Sequence, residues 1–307
     1  MGTADERAQN LQFDQDAKEA SDMVTSIALS NGARMPQLGL GVYLVTDVAV
    51  CEASVKSALG AGYRLIDTAA IYRNERAVGR GIRSSGVPRE DIFLTTKLWP
   101  ADYGYDKARA AIGGALERLD CGPLDLLLLH QPVGDVKGAW RAMEDAVDQG
   151  VVRAIGVSNF AVADLERLLP AARIAPAVDQ VELHPHWQQP ELLPYLADHG
   201  IVPEAWYPLG HGSTKLLSEP AVVGAAAAHG KSAVQVILRW HVQRGFVAIP
   251  KSTNPAHITS NIDVFDFELS PTEIAGVDAL GKDRPMFRMP RWMMAATMPL
   301  ARPRPLG

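Results

Sequence analysis

Four polar side chains stand at or just beyond the ends of apolar, strand-like runs: Asp67, Tyr72, Lys97 and His130. A buried carboxylate is costly unless a cation or hydrogen-bond donors pair with it, so Asp67 needs a partner, and we expect Lys97 to be that partner. An ammonium close to a phenol favours the phenolate and lowers its pKa from about 10. The set therefore predicts Tyr72 as a proton donor tuned by Asp67 and Lys97, with His130 binding a substrate oxygen.

The segments around these residues alternate between short apolar runs and stretches with helical periodicity. Helical spacing is clear in 105–119 and 232–244. Eight strands alternating with helices predict a parallel sheet, and eight is the number that closes a (β/α)8 barrel of about 250 residues. We predict this α/β fold, a (β/α)8 TIM barrel, preceded by a β-hairpin that turns at Asn31-Gly32. The predicted strands are 38–42, 63–67, 91–97, 125–130, 153–157, 177–181, 201–206 and 246–250.

The carboxyl ends of the strands in such a barrel share one mouth, where the active site lies. The later strands also bring polar or aromatic residues there: Ser158-Asn159, Gln180, Trp206 and Lys251-Ser252. No serine-elbow motif is present and no side chain is an obvious nucleophile, so we expect a bound hydride donor to attack the substrate.

Each residue taken singly has an ordinary alternative. Asp67 could cap a loop, His130 could be a buried histidine before a turn, and Ser158 or Asn159 could be the N-cap of the next helix. Together, at six or seven of the eight strand ends, coincidence is the weaker explanation.

Composition sets the wider limits. The chain has 307 residues, is 47% apolar and has a formal net charge of −5, which gives no sign of binding to nucleic acid or a membrane. Cys51 and Cys121 lie in helix-like stretches and are predicted to be free thiols. The amino-terminal residues lack the apolar run of a signal peptide. We predict a cytoplasmic monomer with a disordered extension (1–23), one barrel domain (24–281) and a tail (282–307) that is a lid or disordered.

Several ordered motifs resemble the aldo-keto reductase superfamily from about Ile27 to Leu280, and within it the bacterial 2,5-diketo-D-gluconic acid reductase branch. They are IDTAAIYRNE, LTTKLW, DLLLLHQP, AIGVSNF, VDQVELHP, PLGHG and IPKSTNPAHITSNIDVFDFELS. The resemblance implies a barrel that binds NADP(H) across its mouth without a Rossmann domain. It also implies reduction of small aldehydes, α-dicarbonyls or keto-sugars such as 2,5-diketo-D-gluconate.

Matching positions imply roles residue by residue. Tyr72 would be the general acid, Lys97 and Asp67 its tuning pair, and His130 the residue that orients the carbonyl. The implied nicotinamide contacts are Ser158, Asn159, Gln180 and Trp206. The implied contacts further along the cofactor are Gly210, Ser213, Lys251, Ser252, Asn254, His257 and Asn261. The implied substrate pocket comprises Tyr43, Trp99, Gln131 and Trp187.

The chain also departs from the pattern of this family. Gln131 stands where tryptophan is usual and makes the pocket more polar, while His257 and Ser260 replace an expected arginine and glutamate. Histidine lacks the bidentate fork with which arginine grips a phosphate. We therefore predict NADP(H) and leave NAD(H) open as a second cofactor.

Two further questions concern alternative chemistry. Asp179, Glu182, His184 and His186 could be read as metal ligands, but their spacing fits no helical metal motif and we predict no metal. The alternative functions are a Schiff-base aldolase or lyase that uses Lys97, and a nicotinamide-binding module without turnover.

Overall fold

The structure, a computed structural model, describes residues 24–282, 285–287 and 289–301. Its centre is a sheet of eight parallel strands hydrogen-bonded in chain order. The strands are β3 (Leu40–Gly41), β4 (Leu65–Asp67), β5 (Phe93–Leu98), β6 (Leu124–Leu129), β7 (Val152–Ser158), β8 (Val178–Glu182), β9 (Val202–Trp206) and β10 (Val247–Ala248). All eight predicted strands are present, with ends shifted by a few residues.

Backbone contacts between the first and last strands close this sheet into a barrel. Leu38 pairs with Ala248 and Gly41 with Lys251, both in parallel register. The Gly39 N–H donates to the Ala248 carbonyl at 2.9 Å. A Cβ on Gly41 would lie 2.9 Å from the Ile249 carbonyl oxygen, so glycine permits this approach. The predicted (β/α)8 fold is confirmed.

The predicted amino-terminal hairpin is also present, as β1 (Ser26–Ala28) and β2 (Arg34–Pro36). Gly32 has φ +83°, a conformation that glycine adopts without steric cost. Leu29 and Met35 of the hairpin join the apolar cluster that fills the barrel interior, which includes Leu65, Leu126 and Val178. The interior is therefore apolar on the hairpin side, whereas polar side chains gather at the strand carboxyl ends.

Helices cover the outside of the barrel and bury their apolar faces against it. Several begin at residues that cap them: Ser232, for example, accepts the Gln235 N–H at 3.2 Å while the Gln235 side chain accepts the Ser232 N–H. The helices are α1 (Val48–Gly60), α2 (Glu75–Arg83), α3 (Tyr105–Leu119), α4 (Val136–Asp148), α5 (Val162–Leu168), α6 (Leu192–Asp198), α7 (Thr214–Leu217), α8 (Pro220–His229), α9 (Ala233–Gln243), α10 (Pro255–Ile262), α11 (Pro271–Asp278) and α12 (Arg291–Thr297).

Both cysteines are free and buried, as predicted, but Cys121 lies in the turn after α3 rather than in a helix. Within the described ranges, no single helix is long and apolar enough to cross a membrane; α8 and α9 pass that test only as a pair, which is bent by 95°. The predicted disordered extension, 1–23, lies outside the described residues.

Candidate active site

Asp67 and Lys97 form a buried ion pair at the carboxyl ends of β4 and β5. Lys97 Nζ lies 2.5 Å from Asp67 Oδ1 and 2.7 Å from Oδ2, and its third contact is the Thr68 carbonyl at 2.9 Å. Burial raises the pKa of Asp67, while the charge and hydrogen bonds of Lys97 act in the opposite direction. The partner expected from the sequence is therefore found, and it uses all three of its ammonium protons.

Tyr72 lies beside this pair at the end of a single 3-10 turn, Ala70–Tyr72. The next residue, Arg73, reverses the chain with φ +62°. Buried Asn74 then fixes the loop: it accepts the Thr68 hydroxyl at 2.7 Å and donates to the carbonyls of Val42 and Val45. A network of hydrogen bonds therefore positions Tyr72 relative to the barrel rim.

The predicted lowering of the Tyr72 pKa by Lys97 is wrong. Burial, followed by the negative charge of Asp67, raises the pKa of Tyr72 well above its ordinary value of about 10. The Lys97 ammonium faces the Tyr72 ring, 5.2 Å from its centroid. It donates its hydrogen bonds to Asp67 and to the Thr68 carbonyl, not to the Tyr72 hydroxyl. Tyr72 is consequently a protonated phenol at neutral pH.

His130 follows β6 and lies between two aromatic rings. Its ring centroid is 5.7 Å from that of Tyr72 and 5.1 Å from that of Trp99, both edge-to-face. Burial, and then the charge of Lys97, lower the pKa of His130 well below its ordinary value. His130 is therefore neutral, and its Nδ1 has no hydrogen-bond partner among the described residues. It can bind a polar atom without carrying charge.

Gln180 on β8 and Glu204 on β9 join Asp67 and Lys97 in one hydrogen-bonded group, called the polar centre below. Gln180 Nε2 donates to Asp67 Oδ2 and to Glu204 Oε2, both at 2.9 Å. Burial, and then the charge of Asp67, raise the pKa of Glu204 to about 8. Glu204 did not emerge from the sequence, although it precedes Trp206 by two positions on the same strand and so faces the same side.

Asn159 connects three strand ends. Its Nδ2 donates to the His130 carbonyl and to Ser158 Oγ, both at 3.1 Å, while its Oδ1 accepts the Trp206 Nε1–H at 2.9 Å. Asn159 adopts φ +64°, which asparagine tolerates better than most residues. The suggested N-cap role of Ser158 or Asn159 is wrong, because Ala161 occupies the N-cap of α5 and these two side chains bind strand residues instead.

Comparisons with known proteins show the family to which the chain belongs. The model of the aldo/keto reductase family matches residues 38–282. This chain belongs to the aldo/keto reductase family. It is 49% identical to glyoxal reductase of Bacillus subtilis (84% of this chain, 93% of the relative) and 48% identical to morphine 6-dehydrogenase of Pseudomonas putida (83% and 90%).

Solved structures of the family also match. An aldo/keto reductase from Brucella melitensis is 44% identical, with a TM-score of 0.80 over 84% of this chain and 99% of the other. An aldo-keto reductase of Bombyx mori, solved in complex with NADP, is 32% identical, with a TM-score of 0.83 over 88% and 96%. The chain is thus an oxidoreductase by family.

The positions that the resemblance implies for the parts of the cofactor beyond the nicotinamide lie in the chain between β9 and the end of α10. Gly210 has φ +56°, and Ser213 Oγ accepts the Leu216 N–H at the start of α7. Ser252 accepts the Asn254 N–H, and Asn254 accepts the Ala256 N–H at the start of α10. The remaining positions differ in exposure: Lys251 and His257 are exposed, whereas Asn261 is buried.

Two of the four implied substrate-pocket residues contact Tyr72 or His130, and a third, Gln131, follows His130 in the chain. The Tyr43 ring lies 5.1 Å from that of Tyr72, and Trp99 lies against His130. Gln131 is buried, and its Oε1 has no hydrogen-bond partner in the described part of the chain. Trp187 is half-buried in a bridge with His184 and makes no ring contact with this group.

The tail of this family member covers part of the barrel mouth. Trp99 Nε1 donates to the Met298 carbonyl at 2.9 Å, and Met294 and Met298 pack against Trp99 and Val133. Glu182 accepts the backbone N–H of Met286 at 2.5 Å and of Phe287 at 3.1 Å. The described part of the tail therefore contains a helix, α12, and the residues at its end contact Trp99 at the mouth.

Two interpretations weighed from the sequence concern the tail and the set Asp179, Glu182, His184 and His186. If the tail is a lid, Trp292 is expected to line the mouth, but 70% of its surface is exposed. His184 binds Glu182 at 3.1 Å and His186 binds Glu219 at 2.8 Å, so three of the four residues considered as metal ligands take part in two separate hydrogen-bonded pairs. Within the described ranges, no three of these residue types form a metal-binding group.

Proposed function

We propose that the protein is an NADP(H)-dependent carbonyl reductase in which Tyr72 donates a proton to the substrate oxygen. The observation that supports this most is the meeting of Asp67, Tyr72, Lys97 and His130 at one point of the barrel mouth. Because Tyr72 holds its proton at neutral pH, it is suited to act as a donor in reduction. Neutral His130 would bind and orient the same oxygen.

Several features of the mouth fit a nicotinamide dinucleotide. Trp206 offers a half-buried ring, Asn159 and Gln180 offer amides, and Lys251 offers an exposed cation for a phosphate. The NADP-bound structure of the Bombyx mori relative supports this cofactor. When bound, the cofactor supplies the hydride. The residues of this chain would hold it and exclude water from the reacting carbon.

The substrate class we propose is small aldehydes, α-dicarbonyls and keto-sugars such as 2,5-diketo-D-gluconate. Gln131 is buried, and its amide oxygen, which has no partner among the described residues, can accept a hydrogen bond from a substrate hydroxyl. The similarity to a relative named glyoxal reductase supports the α-dicarbonyl part of the proposal. We also keep a cytoplasmic location and a monomeric state as predictions.

The aldolase alternative is less well supported. A Schiff-base lysine attacks as a neutral amine, whereas Lys97 is a buried ammonium that donates all its protons to Asp67 and Thr68. Borohydride treatment with substrate but no nicotinamide would trap a Schiff base on Lys97 if this alternative held.

The deciding experiment measures oxidation of NADPH and NADH by their absorbance. The substrates are glyoxal, methylglyoxal, an aromatic aldehyde and 2,5-diketo-D-gluconate. We expect carbonyl-dependent oxidation of NADPH that exceeds the background of cofactor alone. Tight cofactor binding without turnover on the whole panel would favour the non-catalytic binding module instead.

A further inference from the structure

Glu204 is a fully buried carboxyl group in the polar centre of the barrel. It lies in β9, and none of its surface is exposed. Its Oε2 accepts one hydrogen bond, from Gln180, and its Oε1 has no partner among the residues described. Burying a carboxyl group with one hydrogen bond is unfavourable, so its presence calls for an explanation.

The amide of Gln180 supplies part of that explanation. Its nitrogen carries two protons, and these go to Asp67 Oδ2 and Glu204 Oε2 at 2.9 Å each. Paired with Lys97, Asp67 can only accept hydrogen bonds, so the nitrogen end of the amide must face it. Glu204 accepts the hydrogen bond from the second proton of this nitrogen and so fixes the rotation of the amide plane. The carbonyl oxygen of Gln180 is left as the end without a described partner.

The charges around Glu204 explain how a second carboxyl group is tolerated there. The polar groups that face it are Gln180 from β8, Asp67 from β4, Lys97 from β5 and the phenol of Tyr72. Its register partner on β10 is the apolar Val247. Lys97 donates its hydrogen bonds to Asp67 and Thr68, so no cation among the described residues forms an ion pair with Glu204. Burial, and then the charge of Asp67, raise the pKa of Glu204 to about 8, which favours its neutral form at neutral pH.

We propose that Glu204 is a positioning residue that fixes the Gln180 amide, so that the Gln180 carbonyl oxygen is presented to the carboxamide of a bound nicotinamide. This inference rests on the proposed function, because it assumes a nicotinamide cofactor. Glu204 itself does not touch the cofactor; it acts through Gln180. Its contribution should concern only the nicotinamide half of the cofactor.

Two substitutions separate this role from simple packing. Glu204→Gln keeps a neutral side chain with a carbonyl acceptor for Gln180, whereas Glu204→Leu keeps much of the volume and removes the acceptor. The matched control is Glu144→Gln, since Glu144 is also buried but accepts the backbone N–H groups of Arg173 and Ile174 on the outside of the barrel.

The measurement compares dissociation constants for NADPH and for adenosine 2′,5′-bisphosphate, which lacks the nicotinamide half, by calorimetry on the full chain. We expect Glu204→Leu to weaken NADPH about tenfold, the scale of one good hydrogen bond, with the bisphosphate unchanged. Glu204→Gln and Glu144→Gln should stay within about twofold of wild type for both ligands.

The possible outcomes are distinct. Equal loss for both ligands, or no loss for either, in a folded Glu204→Leu protein overturns the inference. If that variant does not fold, Glu204→Asp gives the same test, because its shorter side chain withdraws the acceptor from Gln180. If wild type binds neither NADPH nor NADH, the proposed function fails. If wild type binds NADPH but Glu204→Leu changes the dissociation constants for NADPH and for the bisphosphate by the same factor, only the Glu204 inference fails.

Discussion

Lys97 donates two hydrogen bonds to Asp67, with Nζ 2.5 Å from Oδ1 and 2.7 Å from Oδ2. The same Nζ lies 5.2 Å from the centroid of the Tyr72 ring. The ammonium thus neutralises the carboxylate directly and affects the phenol only through space. This geometry explains why Tyr72 keeps its proton even though a cation is close. It also links the stability of the barrel mouth to the chemistry proposed for it.

Tyr72→Phe removes the proposed proton donor and keeps the ring. We expect kcat for carbonyl reduction to fall about 10²–10⁴-fold, the usual contribution of general acid catalysis. The NADPH dissociation constant should stay within about twofold, because the ring still packs against Tyr43 and His130. Single-turnover kinetics with glyoxal measures the first quantity and fluorescence titration the second.

Tyr103→Phe is the matched control, since its hydroxyl is also buried but binds the backbone of Gln131 away from Lys97. It should lower stability more than turnover. If Tyr72→Phe kept more than about a tenth of wild-type turnover with chemistry rate-limiting, Tyr72 could not be the general acid.

In Lys97→Met, Asp67 stays buried, and among the described residues only the Gln180 side chain donates a hydrogen bond to its carboxylate. Breaking a buried ion pair by removing one partner costs about 3–5 kcal/mol. We expect the free energy of unfolding, measured with denaturant at neutral pH, to fall by that amount.

Adding Asp67→Asn to Lys97→Met removes the stranded charge. The double variant should be more stable than Lys97→Met alone, though equally inactive. Equal stability of the single and double variants would show that water or another group already solvates Asp67.

The sequence was sufficient to predict the barrel and several of the polar residues that the structure brings together at its mouth. Strand ends are visible in sequence because apolar runs stop at Asp67, Lys97 and His130, and neighbouring parallel strands place those ends together. Glu204 was missed because it stands two residues before the end of its strand, where only the inward direction of alternate residues could have revealed it.

The tuning of Tyr72 could not be predicted from the same pattern. Its pKa depends on burial and on where the protons of Lys97 point, and both are consequences of packing. The contact between Trp99 and Met298 joins residues that are 199 positions apart, and no local signal encodes it.

Glu204 should make the stability of the protein depend on pH. Its pKa is raised to about 8 in the folded state from an ordinary value of 4.5, so between these values the folded protein holds a proton that the unfolded chain releases. Stability from this group is complete below about pH 4.5 and is lost as pH rises through about 8. Glu204→Gln, which does not titrate, lacks this loss.

The test measures the free energy of unfolding of wild type and Glu204→Gln at several pH values from 5 to 8. The free energy of unfolding of Glu204→Gln, relative to that of wild type, should increase as pH rises, by at most about 1.4 kcal/mol per pH unit. Asp67 and Lys97 remain in both proteins, so their titration largely cancels. A difference that is constant with pH would show that Glu204 is already ionised in the folded protein.

The last prediction concerns the choice between NADPH and NADH. His257 lies in the first turn of α10, exposed and without a hydrogen-bond partner among the described residues, close in sequence to Lys251 and Ser252. Arginine at this position would add a charged, bidentate donor for a 2′-phosphate. Because the site is exposed, we expect the low end of the range for a charged hydrogen bond: His257→Arg should strengthen NADPH binding by about 1 kcal/mol, roughly fivefold. NADH, which lacks the phosphate, should gain little.

Thr259→Arg is the control, since it adds the same charge to an exposed position of the same helix. Calorimetric dissociation constants for both cofactors decide the matter: equal gains for NADPH and NADH, or equal effects of the two arginines, would mean that position 257 does not contact the phosphate and that the cofactor preference is set elsewhere.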